Sequence, residues 1–240
     1  MTKQIKFNFG IFEYREITSN SIPLIKGRFS LNISPNFPKE FKRSFWFYDL
    51  TKRLKIDEVI SLGAYYPQRN FNNDLESNPN LRYPAFSDIL FNSKSGPLHR
   101  IRDDFIIESR KQQLKIISNF YANYLKNVIG SLNYNEMISV PAKLEYSYNS
   151  VEIISAEFSN LFNIPMNISR ISRIDDYTKE YSILYENDNL NQKRILLIDD
   201  IITDGETKDK IFFRLKENGC NNIDMITLAR TDHNIYEYNE

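Results

Sequence analysis

Two adjacent carboxylates and a glycine-containing loop form the segment of the sequence best suited to chemistry. Asp199 and Asp200 directly follow the apolar run 195–198, and two residues later comes the loop Thr203, Asp204, Gly205, Glu206 and Thr207. A loop of this kind before a helix offers backbone N–H groups and the positive end of the helix dipole to an anion, and its two threonines add hydroxyl donors. Carboxylates suit the hydroxyls of a ribose, or Mg²⁺ bound near them. The segment therefore predicts a site for a ribose 5-phosphate group.

Two further carboxylates lie inside the same loop. Asp204 and Glu206 would repel an anion if they faced it. The favoured interpretation is that both side chains point to solvent while the backbone amides bind the ligand. Glu206 is also placed to stabilise the start of the helix, since carboxylates are favourable near a helix N-terminus.

The acidic pair has alternative interpretations. A surface turn at the end of a strand would also accommodate Asp199 and Asp200. A receiver domain places an acidic pair after a buried strand too, but it needs several more strands and a later lysine. Only 40 residues follow Asp200 in a chain of 240, so the receiver interpretation fails on length.

The elements around the pair alternate between strand and helix. The continuous apolar run 195–198 is typical of a parallel strand that is covered on both faces. Further predicted elements are a strand over 137–140 ended by Pro141, a helix capped by Ser150, a helix over 207–218 ended by Gly219, and a strand over 222–229. This alternation predicts an α/β fold with a parallel sheet flanked by helices.

Residues 1–130 do not show this alternation of strand and helix. Residues 1–62 are rich in aromatic and β-branched side chains with turn residues between them, which predicts a small antiparallel sheet. Prolines, asparagines and a Ser-Gly-Pro turn predict loops over 67–99. An apolar stripe predicts a long helix from about Ile101 to Val128, stopped by Gly130. We therefore expect a β-rich region over 1–60 and a larger domain over 61–240.

Composition excludes several classes of function. Lys plus Arg and Asp plus Glu both number 31, so the chain is not a globally basic nucleic-acid binder. One cysteine, Cys220, can form neither an internal disulfide nor a cysteine-based zinc site, and we expect it to serve packing. Two histidines argue against a His-rich metal centre. The sequence has no apolar run long enough for a membrane span and no apolar signal core at its polar N-terminus, so we expect a cytoplasmic location.

The segment ILLIDDIITDGET, residues 195–207, resembles the phosphoribosyl pyrophosphate (PRPP) binding motif of the type I phosphoribosyltransferases. Residues 139–143 resemble the Val-Pro-x-Pro segment of the ComF-like branch of that family. Tyr148-Asn149 with the following helix, and the ending LKENGCNNIDMITLART, are similar to segments of the same branch. The resemblance covers about residues 59–233 and is strongest over 137–231.

This resemblance implies a type I phosphoribosyltransferase fold and a Mg²⁺-dependent transfer or release of the phosphoribosyl group of PRPP. It implies that Asp199 and Asp200 are the catalytic carboxylates that orient the ribose and bind Mg²⁺. The 5-phosphate would bind the loop of Thr203, Asp204, Gly205, Glu206 and Thr207. Ala142 and Lys143 would belong to the loop that binds pyrophosphate.

The sequence departs from the ComF-like pattern in ways that bear on catalysis. The cysteine pairs of the N-terminal zinc ribbon are absent, and Lys143 stands where a second proline is expected. The basic segment before the PRPP motif is shortened, which leaves Lys143, Arg170, Arg173 and Lys179 to neutralise a pyrophosphate. The alternative function is therefore a non-catalytic PRPP- or nucleotide-sensing or interaction module; relatives of this kind are associated with competence and with phage-defence loci such as retrons. A homodimer or a protein partner is compatible with either function.

A local basic cluster leaves nucleic acid open as a partner. Its members precede and enter the long helix: Lys94, His99, Arg100, Arg102, Arg110, Lys111 and Lys115. Acidic residues are interleaved with them, so a solvated helix face is the favoured interpretation.

Overall fold

The computed structural model describes residues 2–7, 10–18, 23–29, 45–48, 59–77, 85–93, 104–146, 148–184 and 190–231. The first four ranges are the strands β1 (Thr2–Phe7), β2 (Gly10–Thr18), β3 (Pro23–Phe29) and β4 (Phe45–Tyr48). They form an antiparallel sheet in the order β1-β2-β3-β4. The predicted β-rich region with a small antiparallel sheet is thus confirmed.

The central sheet is parallel throughout. Its strands are β5 (Val59–Tyr65), β6 (Glu136–Ser139), β7 (Met166–Asn167), β10 (Arg194–Ile202) and β11 (Asn222–Thr231), in the order β5-β11-β10-β6-β7. Between β7 and β10 the chain forms an antiparallel hairpin of β8 (Ile171–Asp175) and β9 (Glu180–Ile183). β5 had been expected in the antiparallel region, but it pairs with β11. The predicted domain boundary between residues 60 and 61 falls inside this strand, and the division itself stays a prediction.

Strand β10 lies in the interior of the sheet, between β11 and β6. Because successive side chains of a strand point to opposite faces, its apolar run supplies two cores. Leu196 and Ile198 belong to one buried cluster, and Ile195 and Leu197 belong to the other. A strand covered on both faces needs an unbroken apolar run, which is the pattern that the sequence shows.

The helices are α1 (Gln68–Ser77), α2 (Ala85–Ser93), α3 (Asp104–Ile129), α4 (Ser150–Phe162) and α5 (Glu206–Glu217). The core that contains Leu196 also receives side chains of α2, α3 and α4, and the opposite core receives those of α5. The predicted α/β fold, a parallel sheet flanked by helices, is confirmed. No helix within the described residues is both long and apolar enough to cross a membrane.

The prediction of loops over 67–99 was wrong for α1 and α2. The carbonyl of Pro67 accepts the N–H groups of Asn70 and Phe71, so this proline precedes the first turn of α1 and does not interrupt a helix. In α2, the buried residues Phe86, Ile89 and Leu90 recur at helical spacing. The helical spacing of these apolar residues outweighs the helix-breaking residues around them.

Helix boundaries differ from the predictions by a few residues. α3 ends at Ile129, just before Gly130, whose φ of +77° is left-handed, while residues 101–103 lie outside the described residues. α4 is capped by Asn149, not by Ser150: the Asn149 side chain accepts the N–H of Val151 at 3.0 Å. In both cases the residue at the helix boundary is of a favoured type: a glycine follows the last turn of α3, and a short polar side chain precedes the first turn of α4.

Candidate functional site

The acidic pair lies near the carboxyl end of β10, the edge of an α/β sheet where ligands bind. Asp199 and Asp200 are each 9% exposed. The N–H of Asp200 donates to Oδ1 of Asp199 at 2.9 Å, and the N–H of Ile201 donates to Oδ1 of Asp200 at 2.6 Å. Adjacent residues of a strand point to opposite faces, so the two carboxylates leave the strand in different directions.

A cavity of about 300 Å³ opens where β10 turns into α5. Of the predicted site residues, it is lined by Asp199, Thr203, Asp204, Gly205 and Thr207, with Lys179, Ile201, Ile202, Lys208 and Met225 completing the wall. Asp200, Glu206, Ala142 and Lys143 do not line it. The structure therefore brings together one carboxylate of the pair and most of the predicted phosphate loop.

Gly205 makes the sharp turn into α5. Its φ of +86° lies in the left-handed region, which glycine adopts without strain, and it is the N-cap residue of the helix. The carboxylate of Asp204 accepts the N–H of Glu206 at 3.1 Å. The amide of Glu206, predicted to bind the ligand, thus has a partner within the loop, and Asp204 acts as a local cap. Thr203 bonds through its hydroxyl to the hydroxyl of Thr231 on β11 at 2.7 Å.

The β8–β9 hairpin, which sequence reasoning missed, lies against this loop. Lys179 of the hairpin bonds to the carboxylate of Glu206. Lys210 bonds to the same carboxylate at 2.9 Å and to the carbonyl of Thr178 at 2.5 Å. The hydrogen bonds with Lys179 and then Lys210 lower the pKa of Glu206 to about 2. The side chain of Glu206 is exposed, as the favoured interpretation required, and its charge is balanced by two lysines.

Tyr181 of β9 packs into the core that contains Ile195. It is 2% exposed, and its hydroxyl accepts a hydrogen bond from Nη2 of Arg173 at 2.7 Å. Burial raises the pKa of Tyr181, the charge of Arg173 and a hydrogen bond with Thr207 lower it, and the charge of Asp199 raises it. The sequence signal that could have revealed the hairpin is the alternation of polar and apolar residues over 180–183, directly after the polar stretch 175–179.

Both arginines that were predicted to neutralise a pyrophosphate are paired with carboxylates of the protein. Arg170 bonds to both oxygens of Glu136, at 2.6 and 3.3 Å, and Lys193 bonds to the same group at 3.4 Å. Glu136 begins β6, so this cluster lies at the amino edge of the sheet, opposite the acidic pair. Arg173 bonds through Nη1 to Asp176 at 3.1 Å.

The loop after β6 holds Ala142 and Lys143 near the same edge of the sheet as the acidic pair. The side-chain amide of Asn149 donates to the carbonyl of Val140 at 3.1 Å and fixes the start of this loop. Asp176 of the hairpin accepts the N–H of Leu144 at 3.0 Å. Lys143 is exposed, with Nζ 6.0 Å from the ring centre of Tyr146. The hairpin therefore contacts both loops that the sequence assigned to ligand phosphates.

Residues assigned to packing behave as expected. Cys220 is fully buried in the core that contains Ile195, and burial raises the pKa of its thiol.

His233, one of the two histidines, lies outside the described residues. Lys94, His99, Arg100 and Arg102 of the basic cluster also lie outside them, so a nucleic-acid surface stays a prediction.

The chain is an α/β protein with a cavity, lined largely by polar residues, at the carboxyl edge of its parallel sheet. No protein-family model matches the chain, and no curated protein matches it significantly. Solved structures to which it is similar include a purine phosphoribosyltransferase from Pyrococcus horikoshii Ot3, with 20% identity over 48% of this chain and 70% of that one and a TM-score of 0.33. The Leishmania donovani UMP synthase is 17% identical over 64% of this chain and 32% of its own, with a TM-score of 0.36. A hypoxanthine phosphoribosyltransferase from Staphylococcus aureus is 15% identical over 50% of this chain and 64% of its own, with a TM-score of 0.34.

Proposed function

We propose that the chain is a Mg²⁺-dependent phosphoribosyltransferase of the ComF-like branch, which binds PRPP and transfers or releases its phosphoribosyl group. One observation carries the proposal: Asp199 at the end of β10 and the turn into α5 line a single cavity. A carboxylate beside a helix N-terminus provides partners for the hydroxyls and the 5-phosphate of one ribose 5-phosphate group.

In the proposed reaction a nitrogen nucleophile attacks the anomeric carbon of PRPP. The new C–N bond forms as the bond from that carbon to the pyrophosphate oxygen breaks, and pyrophosphate leaves with the electron pair. The nitrogen then loses its proton to solvent. Asp199 orients the ribose, and the loop 203–207 holds the 5-phosphate, so the protein contributes positioning and charge stabilisation.

The carboxylates in the cavity suit Mg²⁺ bound together with a phosphorylated ligand. Asp199 and Asp204 both line the cavity. Within the described residues there is no group of three or more His, Cys, Asp or Glu side chains that could bind a metal by itself. Mg²⁺ is commonly bound by one or two carboxylates plus substrate phosphates, and it would supply charge neutralisation of the pyrophosphate here.

A second candidate function is a PRPP- or nucleotide-sensing module that does not turn its ligand over. The observation that favours it is the engagement of the basic residues: Lys179 bonds to Glu206, and Arg170 bonds to Glu136. These contacts leave less positive charge to stabilise a departing pyrophosphate. The association of similar domains with competence and phage defence accords with such a role.

Calorimetric titration of the purified chain with PRPP and Mg²⁺ tests the ligand shared by both candidates. We expect saturable binding to the wild type, and its absence from a folded sample would refute the transferase and the sensing of PRPP. Pyrophosphate release is then measured against a panel of nitrogenous bases. Release that depends on an acceptor supports the transferase, and binding without release supports the sensing module.

A further inference from the structure

The turn of the β8–β9 hairpin, residues 176–179, is hydrogen-bonded to both loops that the sequence assigned to ligand phosphates. At one end of the turn, Oδ2 of Asp176 accepts the N–H of Leu144, in the loop after β6, at 3.0 Å. At the other end, Lys179 bonds to the carboxylate of Glu206, at the start of α5. Because both contacts come from the same short turn, it connects the two loops directly.

The turn is also stabilised by hydrogen bonds of its own. The carboxylate of Asp175 accepts the N–H of Thr178 at 2.5 Å and its hydroxyl at 2.7 Å. Aspartate side chains commonly fix turns in this way. Lys179 has a left-handed backbone, with φ of +52°, where the chain enters β9. A turn of defined shape keeps its two contacts at a defined separation.

Arg173 fixes the orientation of the Asp176 carboxylate. Nη1 of Arg173 donates to Oδ1 of Asp176 at 3.1 Å, while Oδ2 accepts from Leu144. The side chain of Arg173 is 9% exposed, and its Nη2 donates to the hydroxyl of Tyr181 at 2.7 Å. The guanidinium is therefore held on two sides, and each oxygen of the carboxylate has a different partner. Hydrogen bonds between ionised groups are strong and directional, so the oxygen that faces Leu144 is well placed.

The N–H of Leu144 belongs to a β-turn in the loop after β6. The N–H of Tyr146 donates to the carbonyl of Lys143 at 3.0 Å, which makes Leu144 the second residue of this turn. Lys143, its first residue, is exposed and is the lysine that the sequence assigned to pyrophosphate. A hydrogen bond at the next residue limits the movement of the backbone that carries Lys143.

We propose that Asp176 is a positioning residue of the pyrophosphate subsite, which holds the loop 141–146 through the N–H of Leu144. The hairpin turn thereby sets the position of this loop relative to the 5-phosphate loop 203–207. The inference rests on the proposed function, because it takes the two loops to bind the two phosphorylated ends of PRPP. Both ends bind at once only if the loops keep the right separation, so the turn contributes to affinity without touching the ligand. Ribose 5-phosphate lacks the pyrophosphate and does not depend on that separation.

Asp176→Ala tests this role, with calorimetric titrations of PRPP and of ribose 5-phosphate, both in the presence of Mg²⁺. We expect the affinity for PRPP to fall by roughly three- to tenfold, the effect of one lost hydrogen bond. The affinity for ribose 5-phosphate should equal that of the wild type, because Lys179 still holds Glu206. Asp176→Asn is the conservative control: its amide oxygen still accepts the N–H of Leu144, so its affinity for PRPP should stay close to that of the wild type.

Leu144→Pro removes the same hydrogen bond from the donor side. The Leu144 side chain is exposed, and proline is favoured at the second position of a β-turn, so this change leaves the core and the turn intact. It should weaken PRPP binding by a similar factor. The double variant with Asp176→Ala should bind PRPP no more weakly than the weaker single variant, because both changes remove one shared bond.

Thermal melting of every variant checks that it is folded at the temperature of the titrations. Equal losses for PRPP and ribose 5-phosphate would show that Asp176 supports the whole site and not the pyrophosphate subsite. That result, wild-type affinity for PRPP in Asp176→Ala, or additive losses in the cycle would each overturn the inference while the proposed function stands. Failure of the folded wild type to bind PRPP would instead refute the proposed transferase.

Discussion

At the scale of single residues, the two aspartates of the pair are not equivalent. Asp199 lines the cavity and Asp200 does not, although both are buried to the same extent. The side-chain period of a strand explains the difference, because neighbouring side chains leave it on opposite faces. The sequence predicted the position of the pair correctly, but only the register of β10 shows which carboxylate enters the cavity.

Asp199→Asn should weaken PRPP binding more than Asp200→Asn. A hydrogen bond to an ionised group contributes about 1.5–3 kcal/mol, so we expect a loss of roughly 10- to 100-fold for Asp199→Asn. Asparagine keeps the Oδ1 acceptor for the neighbouring backbone N–H, so both variants should stay folded. Calorimetric titration with PRPP and Mg²⁺, beside thermal melting, measures both effects.

Glu217→Gln is the control for this comparison. It also removes one negative charge, but at the exposed far end of α5, where Glu217 pairs with Arg214. Its affinity for PRPP should equal that of the wild type. A folded Asp199→Asn protein that binds PRPP as tightly as Glu217→Gln would show that Asp199 does not contact the ligand.

At the scale of elements, the site depends on a glycine that turns β10 into α5. Gly205 and Gly130 both have left-handed backbones, with φ of +86° and +77°, but only Gly205 lines the cavity. A Cβ atom at Gly205 would meet Ile202 only at an ordinary 4.0 Å, and one at Gly130 would meet nothing within 4 Å. An alanine at either position should therefore lower the stability of the fold because of the left-handed backbone conformation and not because of a steric contact.

Gly205→Ala and Gly130→Ala should each destabilise the protein by about 1–2 kcal/mol, the cost of a left-handed residue with a side chain. That corresponds to a melting temperature lower by about 2–8 °C for a chain of this size. Only Gly205→Ala should also weaken PRPP binding, because its methyl group projects into the wall of the site. Equal affinities of the two variants would show that the turn does not approach the ligand.

The contact of the hairpin with α5 leads us to expect that the stability of the fold depends on pH. The pKa of Glu206 is lowered from 4.5 to about 2 in the folded chain by Lys179 and Lys210. A carboxyl group with a lowered pKa stabilises the fold fully above its unfolded value, and that contribution is lost as the pH falls through the folded value. The stabilisation by Glu206 should thus be complete above about pH 5 and disappear toward pH 2.

Glu206→Gln removes this titration. The wild type should melt at a higher temperature than Glu206→Gln at pH 6, and the difference should shrink steadily between pH 4.5 and 2. The effect is expected to be small, because Glu206 is exposed to solvent and salt screens such pairs. A difference that is constant over this range would show that the two lysines do not hold the carboxylate in solution.

The sequence predicted those elements whose local pattern and tertiary environment agree. The apolar run of β10 and the Gly-terminated ends of α3 and α5 are of this kind. α1 and α2 differ from the prediction because a proline before the first turn and asparagines within a helix do not prevent it from forming. The contacts of the β8–β9 hairpin with the site, such as Lys179 with Glu206, join residues that are distant in sequence, so no local pattern predicts them.

At the scale of the whole molecule, the strands form separate sheets. Within the described residues, β1–β4 pair only with one another, and β5 pairs with β11 of the parallel sheet. Ser61 of β5 also bonds through its hydroxyl to that of Thr227 on β11 at 2.9 Å in the buried sheet. β5 thus pairs within the sheet that holds the candidate site, and we predict that a domain boundary lies before it.

Removal of residues 1–50 should therefore leave a cooperatively folded protein that binds PRPP with the affinity of the full chain. Every residue of the 300 Å³ cavity follows position 178, and the parallel sheet keeps all its strands. Removal of residues 1–66 is the matched comparison, since it also deletes β5 and exposes the edge of β11. Thermal melting and PRPP titration of both shortened chains check the division: the first should fold and bind, and the second should lose its cooperative transition. If the chain without residues 1–50 fails to fold, the β-rich region is part of the domain that holds the site, and the division near residue 60 is wrong.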